Sequence, residues 1–172
     1  PAITDSANEP VLEPRRDEER RRLTRALADL DNSGSISVPV LIGSDRRHAS
    51  NLASVDPGMP GRVVARATVA SPADVDAAVE EASEAARSWN ATAAAERATV
   101  LSKAASELRR RRYELAALAV RECAKPWSEA DADVCEAIDF LKYYAQQAVM
   151  LERGRPLVQV PGERNTLHYR AR

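Results

Sequence analysis

Glycine is scarce in this chain, with six residues in 172. No G-x-G-x-x-G and no Walker A sequence occurs, so a nucleotide site built on a glycine-rich loop has no obvious place. Cysteine is scarcer still. Cys123 and Cys135 make no disulfide framework, and both fall within helical patterns, where cysteine behaves as a small buried hydrophobe. This usage points to a reducing, cytosolic compartment. The formal net charge is only -1, from 25 Lys+Arg against 26 Asp+Glu, which argues against a polybasic nucleic-acid binder. Apolar residues make up 44% and recur regularly, which excludes a largely disordered acidic chain. No apolar run approaches the roughly 20 residues needed to cross a bilayer. No charged-then-apolar secretory signal opens the chain. It begins at Pro1 rather than Met, so the true start is expected upstream. His48 and His168 have no Cys or His at ligand spacing, so no metal site is expected. Neither cysteine sits beside a histidine or at a helix N-terminus that would activate a thiolate.

What is present is helical periodicity. Residues 1–14 read as an extended arm with Pro10 and Pro14. Residues 15–30 read as a helix burying Leu23, Ala26, Leu27 and Leu30, broken by Asp31, Asn32, Ser33 and Gly34. Residues 36–42 read as an edge strand, a short strand follows near 48–54, and 62–69 reads as another. Between them Val55 to Gly61 carries two prolines and two glycines and reads as a loop, making 36–69 a small β-element of hairpin type. Ser71-Pro72-Ala73-Asp74 is a helix start, with Ser at the N-cap and Pro in the first turn. A narrow apolar stripe follows: Val75, Ala78, Val79, Ala82, Ala86 and Trp89.

A second helix is expected over 93–110, burying Leu101, Ala104, Ala105 and Leu108, with Arg97 on the same side. A third, over 112–124, carries Leu115, Leu118 and Ala119. The run Arg109 to Arg112 at their junction reads as a solvated helix end, and a phosphate site is the less favoured alternative. Lys125-Pro126 stops the third helix. The longest helix is expected over 128–151 with two stripes. One is Ala130, Val134, Ala137, Ile138, Leu141, Ala145 and Ala148; the other is Glu136, Phe140, Tyr143 and Gln147. Two stripes imply a helix sandwiched between other elements. Residues 156–160 and 166–170 read as strands of a hairpin around Pro161-Gly162-Glu163-Arg164-Asn165. The chain is therefore expected to be mainly α-helical with two small β-hairpin elements.

Glu136 stands out because it shares a stripe with aromatic residues. A carboxylate beside aromatic surface can bind an ammonium group. It can equally pair with an arginine such as Arg97, or stand exposed, and the residues alone favour these plainer readings.

Several segments together resemble a known family. They are Asn8-Glu9-Pro10, Val38-Pro39-Val40-Leu41-Ile42-Gly43 with Ser54-Val55-Asp56-Pro57, the helix start at Ser71 leading to Trp89, and Ala95-Glu96-Arg97-Ala98. More specific are Lys125-Pro126-Trp127, Glu129 to Val134, Glu136-Ala137-Ile138-Asp139-Phe140-Leu141 and Tyr143-Tyr144-Ala145, continuing to Pro161 to Asn165. The pattern resembles the N-terminal part of the L-glutamate γ-semialdehyde (1-pyrroline-5-carboxylate) dehydrogenases of the aldehyde dehydrogenase superfamily. That family occurs alone or fused behind a proline dehydrogenase in bifunctional proline utilisation proteins.

The resemblance implies an α/β, aldehyde dehydrogenase-like parent. Residues 15–155 would be the helical N-terminal part of its NAD-binding domain, with the β-element at 36–69, and 156–172 the start of an oligomerisation hairpin. The implied activity is NAD-dependent oxidation of glutamate semialdehyde in proline catabolism, by a cytoplasmic homo-oligomer. It acts on a small aldehyde, with no nucleic-acid partner and no membrane span. Glu136 would lie near the substrate's amino group. The catalytic Cys, Glu and Asn and the cofactor-binding sheet are expected beyond residue 172, so the isolated chain is expected to be inert. Where the family commonly has Gly before Lys-Pro, this chain has Ala124, so that junction is expected to differ or to be strained. The alternative from another class is a non-catalytic helical interaction or assembly module.

Overall fold

A computed structural model describes residues 7–49 and 51–169. The first six residues of the expected arm, and Arg170 of the expected last strand, lie outside the described residues. Helix α1, Asp17–Asn32, opens on Asp17, Glu18 and Glu19, charges that suit the positive end of a helix dipole. Leu23 is its buried residue. The helix runs two residues past its expected end because Asp31 is held from outside, by Arg121 at 2.6 Å and Arg62 at 3.1 Å.

The β-region is more than one hairpin. Strands β1 (Ile36–Val38), β2 (Val40–Ile42), β3 (Asp45–Arg47), β4 (Leu52–Asp56) and β5 (Met59–Ala67) form two sheets. β2 and β3 make a tight antiparallel hairpin, whereas β5 is central to a sheet ordered β1-β5-β4. β1 pairs parallel to β5, and β4 pairs antiparallel to it. The expected loop over 55–61 shrinks to Pro57 and Gly58. The buried Asp56 carboxylate accepts the Gly58 N–H at 2.8 Å and draws in Arg62 at 3.2 Å, so the side chain closes the turn. Pro60 is tolerated in β5 because β1 reaches only Ala65 to Ala67, which leaves the strand start unpaired on that side.

Helix α2, Pro72–Ala91, begins where expected. Ser71 and Asp74 form a reciprocal capping box. These bonds, with Arg47 alongside, hold the Asp74 carboxyl down at about 2. The apolar stripe of α2 is not buried. Val75 is 54%, Val79 61% and Trp89 45% exposed. Periodicity marks a face that can be covered; within this chain the helix meets chiefly β2, where Gly43 lies beneath Glu81.

The core is built by α3 (Ala94–Arg110), α4 (Arg112–Cys123) and α5 (Trp127–Glu152). α5 packs chiefly against α3 and α4, and α4 packs against α1. One cluster is Ala105, Val134 and Ile138 with Leu108, Leu115 and Leu141 around them. The other is Leu23, Ala116 and Ala130 with Leu12, Tyr113 and Trp127. Alanines at these contacts let helix axes approach closely. Ala104, expected in the core, is exposed, because the buried line of α3 runs through Ala94, Ala98 and Ala105. The second stripe of α5 is open rather than sandwiched, with Phe140 and Tyr143 half exposed.

Ala124 caps α4 in the left-handed region, at φ 55° and ψ 29°. A Cβ there costs about 1–2 kcal/mol. Ala124→Gly relieves it but loosens the unfolded chain by about 0.5–1 kcal/mol. The substitution is therefore expected to stabilise by about 0.5–1 kcal/mol, read as a higher urea midpoint at unchanged slope. A lower midpoint would show that no strain resides at this cap.

The terminal hairpin is shorter than its pattern. β6 (Arg155–Pro156) and β7 (Thr166–Leu167) have two residues each. Beyond them the Gln159 amide replaces the ladder, donating to the Leu157 and Asn165 carbonyls and accepting from the Asn165 N–H at 2.8–2.9 Å. Gly154, at φ 70°, admits the Leu167 carbonyl 2.5 Å from where a Cβ would stand. Among the described residues no helix is long and apolar enough to cross a membrane.

Candidate functional site

Residues Ala132, Glu136, Phe140 and Tyr143 follow one another at helical spacing along α5 and floor an open groove of about 510 Å³. Part of its lining comes from the N-terminal segment, through Asn8, Glu9 and Val11. The neighbouring row of α5, Asp131, Cys135, Asp139 and Lys142, holds that segment in place. Leu12 N–H donates to Asp131 at 2.7 Å and Glu9 N–H to Asp139 at 2.8 Å. Lys142 donates to the Ala7 carbonyl at 3.3 Å.

Three carboxylates line the groove: Glu9, Glu136 and Asp139. Glu9 is clasped by both arms of Arg109, at 2.7 and 2.6 Å. Those hydrogen bonds hold its carboxyl below the ordinary range against the opposing effect of burial. Asp139 accepts the Glu9 N–H and lies 3.8 Å from Lys142. Glu136 is exposed and makes no hydrogen bond or ion pair with any described residue. Arg97, the partner considered from sequence, donates instead to the Thr92 carbonyl. Beside Glu136 the aromatic surface is organised. Phe140 stacks on Tyr144 at 6.0 Å, and Tyr143 meets Tyr144 edge-on at 5.3 Å. A free carboxylate on such a surface can bind a small cationic group.

The arginine run is not a solvated helix end throughout. Arg110 and Arg111 pair locally with Glu107 and Glu114. Arg112 is buried and forms a bidentate pair with Asp131 at 2.6 and 2.8 Å, while donating to the Pro10 carbonyl at 2.8 Å. No local signal separates Arg112 from its neighbours, because its partners lie 19 and 102 residues away. Cys135 is buried as expected, and burial pushes its thiol pKa up, which suits a packed side chain rather than a nucleophile. Cys123 is exposed, contrary to expectation, because it sits at the last turn of α4. His48 hydrogen-bonds Ser37 at 3.2 Å. No three His, Cys, Asp or Glu side chains among the described residues converge on a metal position.

The described residues form a helical layer with three small sheets. The aldehyde dehydrogenase family model matches residues 44–171, and the chain belongs to that family. It is 35% identical over 167 residues to a 1-pyrroline-5-carboxylate dehydrogenase of Bacillus pumilus, covering 96% of this chain and 32% of the relative. A 1-pyrroline-5-carboxylate dehydrogenase from Thermus with bound NAD superposes with a TM-score of 0.90 at 34% identity, over 98% of this chain and 33% of that one. A proline utilization A protein from Bdellovibrio bacteriovorus superposes with a TM-score of 0.92 at 29% identity, over all of this chain and 18% of that one. The chain thus spans about a third of the length of the curated relatives it matches.

Proposed function

We propose that this chain is the N-terminal portion of an NAD-dependent dehydrogenase that oxidises L-glutamate γ-semialdehyde to glutamate in proline catabolism. In this reading Glu136 binds the substrate's ammonium group. The observation that carries it is the Glu136 carboxylate, which has no partner among the described residues and lies beside Phe140 and Tyr143, in a chain whose relatives bear the name 1-pyrroline-5-carboxylate dehydrogenase. Within the described residues, the side chains that bind and orient are Glu136 and the groove around it.

In this reading the NAD site lies outside the described residues. The helix that follows a sheet strand here is α2, and its N-terminus is already filled by the Ser71/Asp74 box with Arg47 beside it. Pro72 removes one donor there as well. No cofactor step is therefore assigned to these residues. NAD, the thiolate chemistry and any fusion to a proline dehydrogenase belong, in this proposal, to the rest of the polypeptide.

A polypeptide extended to the length of the relatives should reduce NAD with glutamate semialdehyde. Oxidation of simple aldehydes without oxidation of the amino aldehyde would overturn the substrate assignment.

The same reading makes the terminal hairpin the place where copies of the protein meet. Val158 is 87% exposed and Val160 50%. Sedimentation should show concentration-dependent association. Val158→Lys should weaken it about tenfold, the effect of losing one buried valine. A monomer at every concentration would rule this out.

A further inference from the structure

The N-terminal segment is bound to α5 by its backbone, and the pattern of those bonds is regular. Moving from Leu12 back to Ala7, three tied groups meet α5 in ascending order, and a fourth between them is held by α4. Leu12 N–H meets Asp131, and the Pro10 carbonyl meets Arg112, itself 2.9 Å from the Cys135 sulfur. Glu9 N–H then meets Asp139, and the Ala7 carbonyl meets Lys142. The segment therefore runs antiparallel to the helix as a strap. Positions 131, 135, 139 and 142 are one row of α5. The adjacent row, 132, 136, 140 and 143, is the groove floor.

The ladder uses backbone groups of residues 7, 9, 10 and 12. The side chains of Asn8 and Val11 are left to line the groove. Glu9 lines the groove between them, but its side chain is 8% exposed and is clamped by Arg109, which stands outside the groove lining. Such a fixing scheme, with charge-assisted bonds at both ends of a short irregular segment, is more than a loop needs to cross a helix. It holds Asn8 and Val11 in one place beside Glu136.

We propose that Arg109, acting through Glu9, is a positioning residue that locks the strap as the specificity wall of the Glu136 groove, so that Asn8 and Val11 are presented to an amino-aldehyde ligand. This rests on the reading of that groove as the substrate site. Arg109 is about half exposed, so replacing it leaves the core intact.

Two measurements test it. In this chain, Arg109→Gln should speed amide hydrogen exchange at Glu9 about tenfold, the effect of losing a charge-assisted bidentate bond. Arg109→Lys, which keeps the charge and loses the fork, should fall between. In the full-length enzyme, Arg109→Gln should raise KM for glutamate semialdehyde several-fold, with kcat and the KM for propanal unchanged. A structural defect would instead lower kcat for both aldehydes through loss of folded enzyme. Unchanged exchange at Glu9 would overturn the latch. Faster exchange with unchanged KM would overturn the specificity wall. In that case a raised KM in Glu136→Gln still upholds the groove. A raised KM in Arg109→Gln without one in Glu136→Gln would remove the carboxylate from the site and leave the strap wall standing.

Discussion

Asp131→Ala is expected to destabilise the chain by about 3–5 kcal/mol, the cost of removing one partner from a buried ion pair. The Asp131 side chain is 2% exposed and that of Arg112 is 9%. The carboxylate receives Arg112 Nε at 2.6 Å, Arg112 Nη2 at 2.8 Å and the Leu12 N–H at 2.7 Å. Burial works against the Arg112 charge, but the hydrogen bonds and field of Asp131 outweigh it, and its pKa lies above the ordinary value. With alanine at 131 the guanidinium stays desolvated, with Glu9 no nearer than 3.9 Å. The Leu12 amide loses its acceptor as well. Urea unfolding followed by helical circular dichroism measures the loss. A change below about 1 kcal/mol, the range of an exposed pair, would mean that water reaches Arg112. Replacing both residues by apolar ones, Arg112→Met with Asp131→Leu, should cost far less than either single change, because no charge is then stranded.

The node around Arg112 also marks where sequence reading stops. Ser71-Pro72-Ala73-Asp74 announces α2 because every partner in the capping box lies within four residues. Ala124 before Lys-Pro stands out only against the glycine that the family resemblance leads one to expect there, and the structure places it in the left-handed region. Arg109 to Arg112 are alike in composition, and only distant chain decides that Arg112 is buried while Arg110 is exposed. The α2 stripe shows a related limit. Apolar spacing reports that a face can be covered, and within this chain that face stays open. In the β-region, Pro57, Gly58 and Pro60 read as a long loop, but Asp56 and an unpaired strand edge accommodate them inside a hairpin. Glu136 stands out in the sequence through its company with Phe140 and Tyr143, while the role proposed for it rests on the family resemblance. The strap does not stand out: Asn8-Glu9-Pro10 carries no local sign of the residues 100 or more positions away that hold it.

Glu136→Ala, in the full-length enzyme, is expected to lower kcat/KM for glutamate semialdehyde about 10- to 100-fold. The substrate proposed here carries an ammonium group, and Glu136 is the groove carboxylate with no protein partner among the described residues. A hydrogen bond to a charged group contributes about 1.5–3 kcal/mol. At about 1.4 kcal/mol per tenfold in rate, that gives the stated range. Glu9 and Asp139 cannot take over, because Arg109 and the strap backbone already engage them. The side chain is exposed and contributes no buried contact in this chain, so the substitution should leave the unfolding midpoint within experimental error. Propanal, which has no ammonium group, should lose much less than the amino aldehyde. Equal losses for the two aldehydes would make Glu136 a support for the groove rather than a ligand of the substrate. No loss for either would make it a solvated carboxylate.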